Sequence, residues 1–482
     1  MVFSSVSFLL YFLPVFLLLY TLASPVYKNW IILLFSVYFY SWGAPKFIYI
    51  LMGSTLLDFY LVRYMNQQTD TKKRKYLLVL SLSLNLGLLA IFKYANFFVD
   101  NVQFLLVAAG YEPFLWTQIA LPIGISFYTF QTLTYSVDVY RKVHAPLQSV
   151  KDYMLYIMMF PQLIAGPIVR FNTIADQIEH RNETYQDKLF GFYRLGIGLA
   201  KKVLIANVLG ELVGYLLGEQ PGIGTDWAVL NTSLAWICLL AYTFQIYFDF
   251  SGYSDMAIGL GKMMGFRFPE NFDNPYNSRS ISEFWRRWHI TLGAFMRAYL
   301  YIPLGGSRVA KKSRLYVNLW LVFLLSGLWH GASWNFVIWG AFHGFFLVIE
   351  RAFLSPYLQG ESTLNKLFSL AYCFLVVMLG WVFFIFEEVA DAWMFVQLMF
   401  SFSAEPSNLV IEFKSIFMLL AAAFFSFCTL FTPFQALHNW FYQEQYQTTG
   451  IIFLFVVVFF LFVMSCASIA TSSFNPFIYY RF

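Results

Sequence analysis

Long apolar blocks alternate with short polar connections along almost the whole chain. Each block runs for roughly 17–25 residues with few charges, the length that an α-helix needs to cross a membrane. Runs such as IIFLFVVVFFLFV (451–463) do not alternate apolar with polar positions, so they do not fit the strands of a transmembrane β-barrel. The candidate spans lie near residues 7–23, 29–43, 46–62, 76–93, 117–136, 152–165, 190–217, 228–248, 285–302, 316–330, 333–352, 366–387, 409–432 and 448–470.

This pattern predicts an all-α polytopic membrane protein with roughly eleven to thirteen transmembrane helices, plus short or re-entrant helices. The composition agrees, because 59% of the 482 residues are hydrophobic and 12% are charged, against about 25% charged in soluble proteins. No polar linker divides the chain, so we expect a single membrane domain over residues 1–482. The motifs lie between about 120 and 345, and the helices over 350–482 are expected to be peripheral.

The positions of lysine and arginine predict the orientation of the chain. Arg63 and the basic cluster at 72–75 place their loop in the cytoplasm, and counting back three spans puts the N-terminus outside. The net charge of +5 therefore reflects basic cytoplasmic loops and gives no support to a nucleic-acid partner. The four cysteines lie far apart without a CxxC pair, so neither a metal site nor a disulfide framework is predicted.

Two histidines lie in a stretch rich in Trp, Leu, Phe and Gly, from Phe284 to Gly340. A charged side chain costs roughly 2.5–3.5 kcal/mol at the centre of a membrane helix. A histidine can stay neutral there and still exchange a proton. We therefore interpret His330, which stands between Gly327 and Gly331, as the candidate catalytic group, with a hydrogen-bonded structural histidine as the alternative. His343 is interpreted as structural, since a continuing helix would turn it roughly 140° away.

The second histidine, His289, lies in a segment that we expect to form one helix over 285–302, ended by Pro303. On such a helix Arg286, His289, Gly293 and Arg297 share a face. One interpretation is a groove for a phosphorylated acyl carrier, because guanidinium groups match phosphate geometry. The alternative for Arg286 and Arg287 is that they reach from a helix end to the membrane surface.

Other polar features interrupt the apolar blocks. FPQLIAGPIVRF (160–171) holds two prolines, so we expect a broken helix there, buried in protein or lining a wet cavity. Asp249 and Asp255 lie in an apolar segment and need partners. The arginines of 286–297 are the candidates, and a structural ion pair is at least as plausible as a catalytic role.

Several motifs taken together resemble the membrane-bound O-acyltransferase superfamily, in its bacterial alginate O-acetyltransferase branch. The match extends over nearly the whole chain and is weakest between about 350 and 470. The motifs are MVFSS at the N-terminus, GISFYTFQTLTYSVDVYR (124–141), FPQLIAGPIVRF, QIYFDFSGYSDMAIGLG (245–261), NFDNPYNSRSISEFWRRWHITL (271–292), YIPLGGSR (301–308), LWHGASWNF (328–336) and the C-terminal FIYYRF.

The resemblance implies an all-helical fold whose central helices form a funnel through the membrane, without a permanently bound cofactor. It also implies that the characteristic histidine of the family is His330, in LWHG, and that a second family histidine is His289, in RRWHIT. In this scheme His330 takes the proton of an attacking hydroxyl as general base. His289, the second catalytic candidate, binds the donor, polarises the thioester carbonyl or only stabilises the polar seam. The residues expected to line the tunnel or meet the donor are Arg286, Arg287, Arg297, Trp329, Gly331, Trp334 and Asn335.

By the same resemblance, the donor is acetyl-CoA or the phosphopantetheine of an acyl carrier protein, and the acceptor is a hydroxyl of an exported polysaccharide. An extracytoplasmic partner of the SGNH-hydrolase type is expected. The chain itself is expected to be a multi-pass protein of the cytoplasmic (inner) membrane of a bacterium. D-alanyl transfer to teichoic acid and O-acetylation of peptidoglycan are alternatives within the fold. A transporter, or a structural subunit of an export complex, is the alternative from another class.

Overall fold

The computed structural model describes residues 1–218, 220–402, 409–443, 445–472, 474–475 and 478. Within these residues the regular structure is helical, and no strand is present beyond two isolated β-bridges. The chain forms two compact units: Met1–Phe192 with Ala257–Pro269, and Tyr193–Met256 with Glu270–Phe482.

The first unit is built from ten helices, the last of which, α10, continues into residues of the second unit. They are α1 (Leu13–Leu22), α2 (Pro25–Gly43), α3 (Ile48–Gln67), α4 (Thr71–Leu89), α5 (Ala95–Ala108), α6 (Ile125–Tyr140), α7 (Val150–Met158), α8 (Phe160–Leu163), α9 (Phe171–Glu179) and α10 (Tyr185–Ala200). π-Helical turns at Ser7–Phe12 and Ala90–Tyr94 extend α1 and join α4 to α5.

The second unit contains the remaining helices, and α12 ends with residues of the first unit. They are α11 (Asn207–Leu217), α12 (Thr232–Met263), α13 (Ile281–Arg287), α14 (Ile290–Met296), α15 (Lys312–His330), α16 (Trp334–Ile349), α17 (Ser355–Leu358), α18 (Thr363–Gly380), α19 (Val382–Ile385), α20 (Val389–Phe400), α21 (Phe413–Phe427), α22 (Thr432–Phe441) and α23 (Thr448–Thr471). Single turns of 3₁₀ or π-helix lie at Lys201–Ala206, Pro275–Asn277, Arg297–Tyr301, Glu350–Leu354 and Cys428–Leu430.

Six helical segments of the described chain are long and apolar enough to cross a membrane. They are Thr71–Ala108, Thr232–Met263, Trp334–Leu358, Thr363–Ile385, Phe413–Leu430 and Thr448–Thr471. Ser7–Leu22 and Val389–Phe400 are shorter apolar helices. The prediction of an all-α polytopic membrane protein is therefore confirmed. The count of eleven to thirteen crossings, the funnel and the single domain over 1–482 stay predictions.

The expected helix break at 160–171 is present in the first unit. α7 ends at Met158, α8 is a single turn that contains Pro161, and α9 begins only at Phe171. Gly166 lies against this turn, because a Cβ there would be 2.6 Å from the Cα of Gln162. Phe160 and Gln162 are fully buried, so the irregular backbone is buried in protein.

A buried carboxylate that the sequence did not single out joins three helices of the first unit. Asp58 of α3 accepts hydrogen bonds at Oδ1 from Ser81 (2.5 Å) and Asn85 (3.1 Å) of α4. The Tyr153 hydroxyl of α7 donates to Oδ2 at 2.7 Å. Because polar groups removed from water must be paired, this network fixes the mutual register of α3, α4 and α7.

Two polar contacts hold the loop and the short helix that lead to the candidate site in the second unit. The Tyr276 hydroxyl donates to the carbonyl of Thr243 in α12 at 2.5 Å, which anchors the 3₁₀ turn. Glu350 accepts hydrogen bonds from the backbone N–H groups of Ile281 (2.6 Å) and Ser282 (3.1 Å). These N–H groups lack partners inside α13, so Glu350 caps the start of that helix.

Candidate active site

His330 is the last residue of α15, in a tight hairpin formed by α15 and α16. The helices approach closely at their glycines: a Cβ on Gly340 would lie 2.4 Å from the carbonyl oxygen of Phe323. A Cβ on Gly331 would lie 2.0 Å from the Phe336 ring. The glycines of LWHG and its surroundings therefore allow the two helices to pack closely.

The His330 ring is surrounded by aromatic side chains and is only 4% exposed. Its centroid lies 4.8 Å from that of Trp329, 5.1 Å from Trp339 and 5.2 Å from Phe384. All three contacts are edge-to-face, the arrangement that ring quadrupoles favour. The imidazole is thus held firmly in surroundings of low polarity.

The prediction of one helix over 285–302 is wrong. α13 ends at Arg287, Trp288 is extended, and His289 takes a left-handed conformation with φ 46° and ψ 52° before α14 begins. The break is held by backbone pairing, from Ile290 N to Asn271 O and from Asp273 N to Arg287 O, both at 2.9 Å. For a residue with a Cβ this conformation costs about 1–3 kcal/mol, and such strain clusters at functional sites.

The side chain of His289 is 1% exposed and is tied to Asn271. Its Nδ1 lies 3.0 Å from Asn271 Oδ1, which also accepts from the Thr291 hydroxyl at 2.8 Å. The Asn271 Nδ2 donates to Ser254 Oγ at 3.0 Å. The other ring nitrogen, Nε2, is buried and has no hydrogen-bond partner among the described residues. His289 lies outside the six spanning segments, and burial lowers its pKa to about 3.

The structure brings the two predicted histidines together through a tryptophan. The Trp329 ring lies 5.9 Å from the His289 ring and 4.8 Å from the His330 ring, measured between centroids. Trp329 was expected to line the tunnel, and it is 4% exposed between the two candidates. No helical spacing predicts this contact, since α13 and α14 are separated from α15 in the chain.

A third histidine belongs to the same aromatic group. His343 lies on α16, 4.9 Å from the Trp339 ring, and Trp339 in turn contacts His330. The hairpin turn after His330 reverses the chain, so the angle calculated for a continuous helix does not apply. Neither ring nitrogen of His343 has a hydrogen-bond partner within the described part of the chain. Asn271 and Trp339 were not among the residues predicted from the sequence. The available signal was the NFD motif, which begins with Asn271, and the SWNF motif (333–336), which ends three residues before Trp339.

The three arginines do not form the expected polar seam with His289. Arg286 and Arg297 are exposed, and Arg287 pairs with Glu283 one turn earlier at 2.8 Å. Because the helix breaks at His289, the common face predicted for 286, 289, 293 and 297 does not exist. The last turn of α13 holds Arg286 and Arg287, where cations are favoured by the helix dipole.

The remaining predicted lining residues divide between surface and interior. Trp334 is 54% exposed at the start of α16, whereas Asn335 is fully buried. The Asn335 side chain donates to the carbonyl of Phe386 at 2.7 Å, so it joins α16 to the end of α19. The part that these two residues and Gly331 take in a tunnel stays a prediction.

The partners expected for the buried aspartates are wrong. Asp249 pairs with Lys202 at 2.8 Å. Asp255 pairs with Arg194 at 2.7 Å and with Lys201 at 2.6 Å. Arg194 lies within α10 and the two lysines lie in the π-helical turn after it, so the pairs join that segment to α12. The sequence carried the signal as basic residues at 194, 201 and 202 inside an apolar block.

Comparisons with known proteins agree on one family. The model of the membrane-bound O-acyltransferase family matches residues 34–357. A probable alginate O-acetylase of Pseudomonas aeruginosa is 45% identical, over 83% of this chain and 75% of its own. The probable alginate O-acetylase of Pseudomonas putida is 39% identical over the full length of both. A peptidoglycan O-acetyltransferase of Helicobacter pylori is 37% identical, over 81% of this chain and 78% of its own.

Proposed function

The chain belongs to the membrane-bound O-acyltransferase family, and on that premise we propose that it moves an acetyl group from a cytoplasmic thioester to a hydroxyl of an exported cell-surface polysaccharide. That it is a multi-pass membrane O-acetyltransferase follows from the family and the apolar helices. The observation that carries the choice of acceptor is the similarity to probable alginate O-acetylases.

In the proposed reaction His330 is the general base. The acceptor oxygen attacks the thioester carbonyl carbon while its proton passes to the imidazole. The tetrahedral intermediate then collapses, the C–S bond breaks, and the sulfur leaving group takes the proton from His330. The aromatic rings around His330 support this role because they fix the position of the imidazole without adding a charge. Pre-positioned groups of this kind contribute largely through geometry.

The acyl donor, the membrane and the orientation of the chain in it are also part of the proposal. The donor is acetyl-CoA or an acyl carrier protein that bears phosphopantetheine, and Arg286, Arg287 and Arg297 are candidates to attract its phosphates. The chain lies in the inner membrane of a bacterium with its N-terminus outside, as the basic cluster at 72–75 indicates. The acetyl group passes to the polysaccharide directly or through an extracytoplasmic partner of the SGNH-hydrolase type.

Peptidoglycan O-acetylation is the second candidate, because the Helicobacter pylori relative is 37% identical over most of both chains. The chemistry at His330 is the same for both acceptors, since each presents a sugar hydroxyl. Mass spectrometry of surface polysaccharide and of peptidoglycan, from cells with and without the protein, distinguishes them. Detection of D-alanyl esters in place of acetyl esters would identify the reaction as D-alanyl transfer, the other acyl transfer considered for this fold.

The His330→Ala protein tests the enzymatic proposal against a transporter or a scaffold. We expect the rate of acetyl-ester formation to fall about 10²–10⁴-fold, the usual contribution of a general base, with normal membrane insertion. His180→Ala is the matched control, because His180 is exposed between α9 and α10. Acetylation that survives in the inserted His330→Ala protein would contradict the role of His330.

A further inference from the structure

We propose that Asn271 is a positioning residue that holds His289 in one tautomer, with the proton on Nδ1, so that Nε2 accepts a hydrogen bond from an O–H or N–H group of a substrate. The role of the substrate rests on the proposed function, whereas the tautomer does not. His289 would then act as a hydrogen-bond acceptor, and it would not polarise the thioester carbonyl by donating to it.

The direction of the hydrogen bond follows from the other contacts of Asn271. Its Nδ2 donates to Ser254 Oγ (3.0 Å), and its Oδ1 accepts from the Thr291 hydroxyl (2.8 Å). The backbone N–H of Thr291 also points to Oδ1, at 3.3 Å. The group facing His289 Nδ1 at 3.0 Å is therefore the amide oxygen, which only accepts. Nδ1 must carry the proton.

The backbone keeps this contact in place. Ile290 N donates to Asn271 O at 2.9 Å. The main chain next to His289 is therefore bonded directly to the main chain of Asn271. The left-handed conformation of His289 turns the ring toward Asn271, between Phe250 (4.7 Å between centroids) and Trp329 (5.9 Å). A strained residue held by this many contacts is typical of a functional position.

With Nδ1 protonated, Nε2 offers a lone pair and nothing else. It is buried without a partner within the described residues, and an unpaired acceptor away from water is costly. The groups that contact the ring, Asn271, Phe250 and Trp329, are all uncharged. Burial lowers the pKa of His289 to about 3, so the ring is neutral at physiological pH. A substrate O–H or N–H would supply the missing donor.

Two substrate groups have this chemistry: the hydroxyl of the acceptor and the amide N–H groups of a pantetheine arm. The hydroxyl would place His289 on the acceptor side of the reaction, and the amide would place it on the donor side. Both groups are hydrogen-bond donors, so Nε2 can accept a hydrogen bond from either one. Kinetic measurements separate them.

The first test needs no turnover. The full-length protein, labelled with ¹³C and ¹⁵N in histidine, is placed in lipid bilayers and examined by solid-state NMR between pH 5 and 8. The His289 signal is the one that disappears in His289→Gln. We expect the Nδ1–H tautomer throughout. An Nε2–H tautomer or an imidazolium in the unmodified protein would overturn the proposal, whatever the reaction of the protein is.

Variants of Asn271 extend the test. Asn271→Leu should lose the preference for Nδ1–H, whereas Asn318→Leu should keep it. Asn318 is an equally buried asparagine of the same unit, bonded to backbone carbonyls. Asn271→Asp keeps an acceptor and adds a charge, so the pKa of His289 should rise by at least about one unit. An unchanged tautomer in folded Asn271→Leu would overturn the role of Asn271.

Kinetics in membrane vesicles that contain the natural acceptor identify the substrate group, with acetyl-CoA as the probe. If the pantetheine arm is the source, Asn271→Leu raises the KM for acetyl-CoA about tenfold with little change in kcat. If the acceptor hydroxyl is the source, kcat falls about tenfold at an unchanged KM for acetyl-CoA. An Asn271→Leu protein with both constants unchanged would contradict the proposal.

Discussion

Gly327 of α15 lies so close to Phe336 of α16 that a Cβ on Gly327 would be 2.2 Å from the Phe336 carbonyl oxygen. The contact is with backbone, which cannot rotate away. It sets the separation of the two helices that carry His330 and Trp339, and hence the 5.1 Å between those rings.

Gly327→Ala should therefore destabilise the protein and reduce acyl transfer. Overpacking of this kind costs about 1–3 kcal/mol, and the displaced hairpin would separate His330 from Trp339. Gly214→Ala in α11 is the control, because a Cβ there meets nothing within 4 Å. Thermal unfolding in detergent should show a lower Tm for Gly327→Ala and an unchanged or higher Tm for Gly214→Ala. Equal Tm values would argue against the close contact.

His343→Leu should leave stability unchanged or raise it, and should preserve acyl transfer within about threefold. Both ring nitrogens of His343 are buried without partners in the described chain, so leucine removes a desolvation cost. Acetyl-ester content and Tm are the measurements, with His330→Leu as the contrasting variant that loses activity. A large loss of acetylation in well-folded His343→Leu protein would show that the structural interpretation of His343 is wrong.

Lys202→Met should destabilise the second unit by about 3–5 kcal/mol, because it leaves the buried Asp249 carboxylate without its cation. The side chains of the pair are 3% and 2% exposed, so solvent screening is slight. Replacing both residues, as Lys202→Met with Asp249→Leu, should restore much of the loss. Fluorescence-detected size-exclusion chromatography after heating measures the thermal stability of the unmodified protein, the single variant and the double variant. A double variant no more stable than Lys202→Met would contradict this expectation.

Acid should weaken the first unit through Asp187. Burial acts to raise the pKa of this carboxyl, but hydrogen bonds from Arg267 and Thr184 and the Arg267 charge outweigh burial and hold the pKa below its ordinary value. A carboxyl whose pKa is lower in the folded state than in the unfolded state stabilises the fold at pH values above the unfolded pKa, which is about 3.9. This stabilisation is lost as the pH falls through the pKa of the folded state. Asp187→Asn should have a lower Tm than the unmodified protein at pH 7. The difference in Tm between the two proteins should become smaller near pH 3.

Particular residues show how far sequence reasoning reached. The break at 160–171 was predictable because proline removes a backbone donor wherever it stands. The break at His289 was not, because no proline or glycine marks it. It depends on pairing with Asn271 and Asp273, which lie in a separate loop. The ion pairs also differ in how local they are. The partner of Arg287 lies one helical turn away, whereas Lys202, the partner of Asp249, lies on another segment.

The amino-acid order alone determined that this is a helical membrane protein of the O-acyltransferase family and that His289 and His330 are its candidate histidines. Apolar length and motif composition are local properties, so they can be read without a fold. Only the tertiary structure decided that both histidines contact Trp329, that His343 joins them through Trp339, and that Asn271 holds His289. These contacts connect residues on different elements, and their geometry depends on how closely the helices pack, which no spacing along the chain encodes.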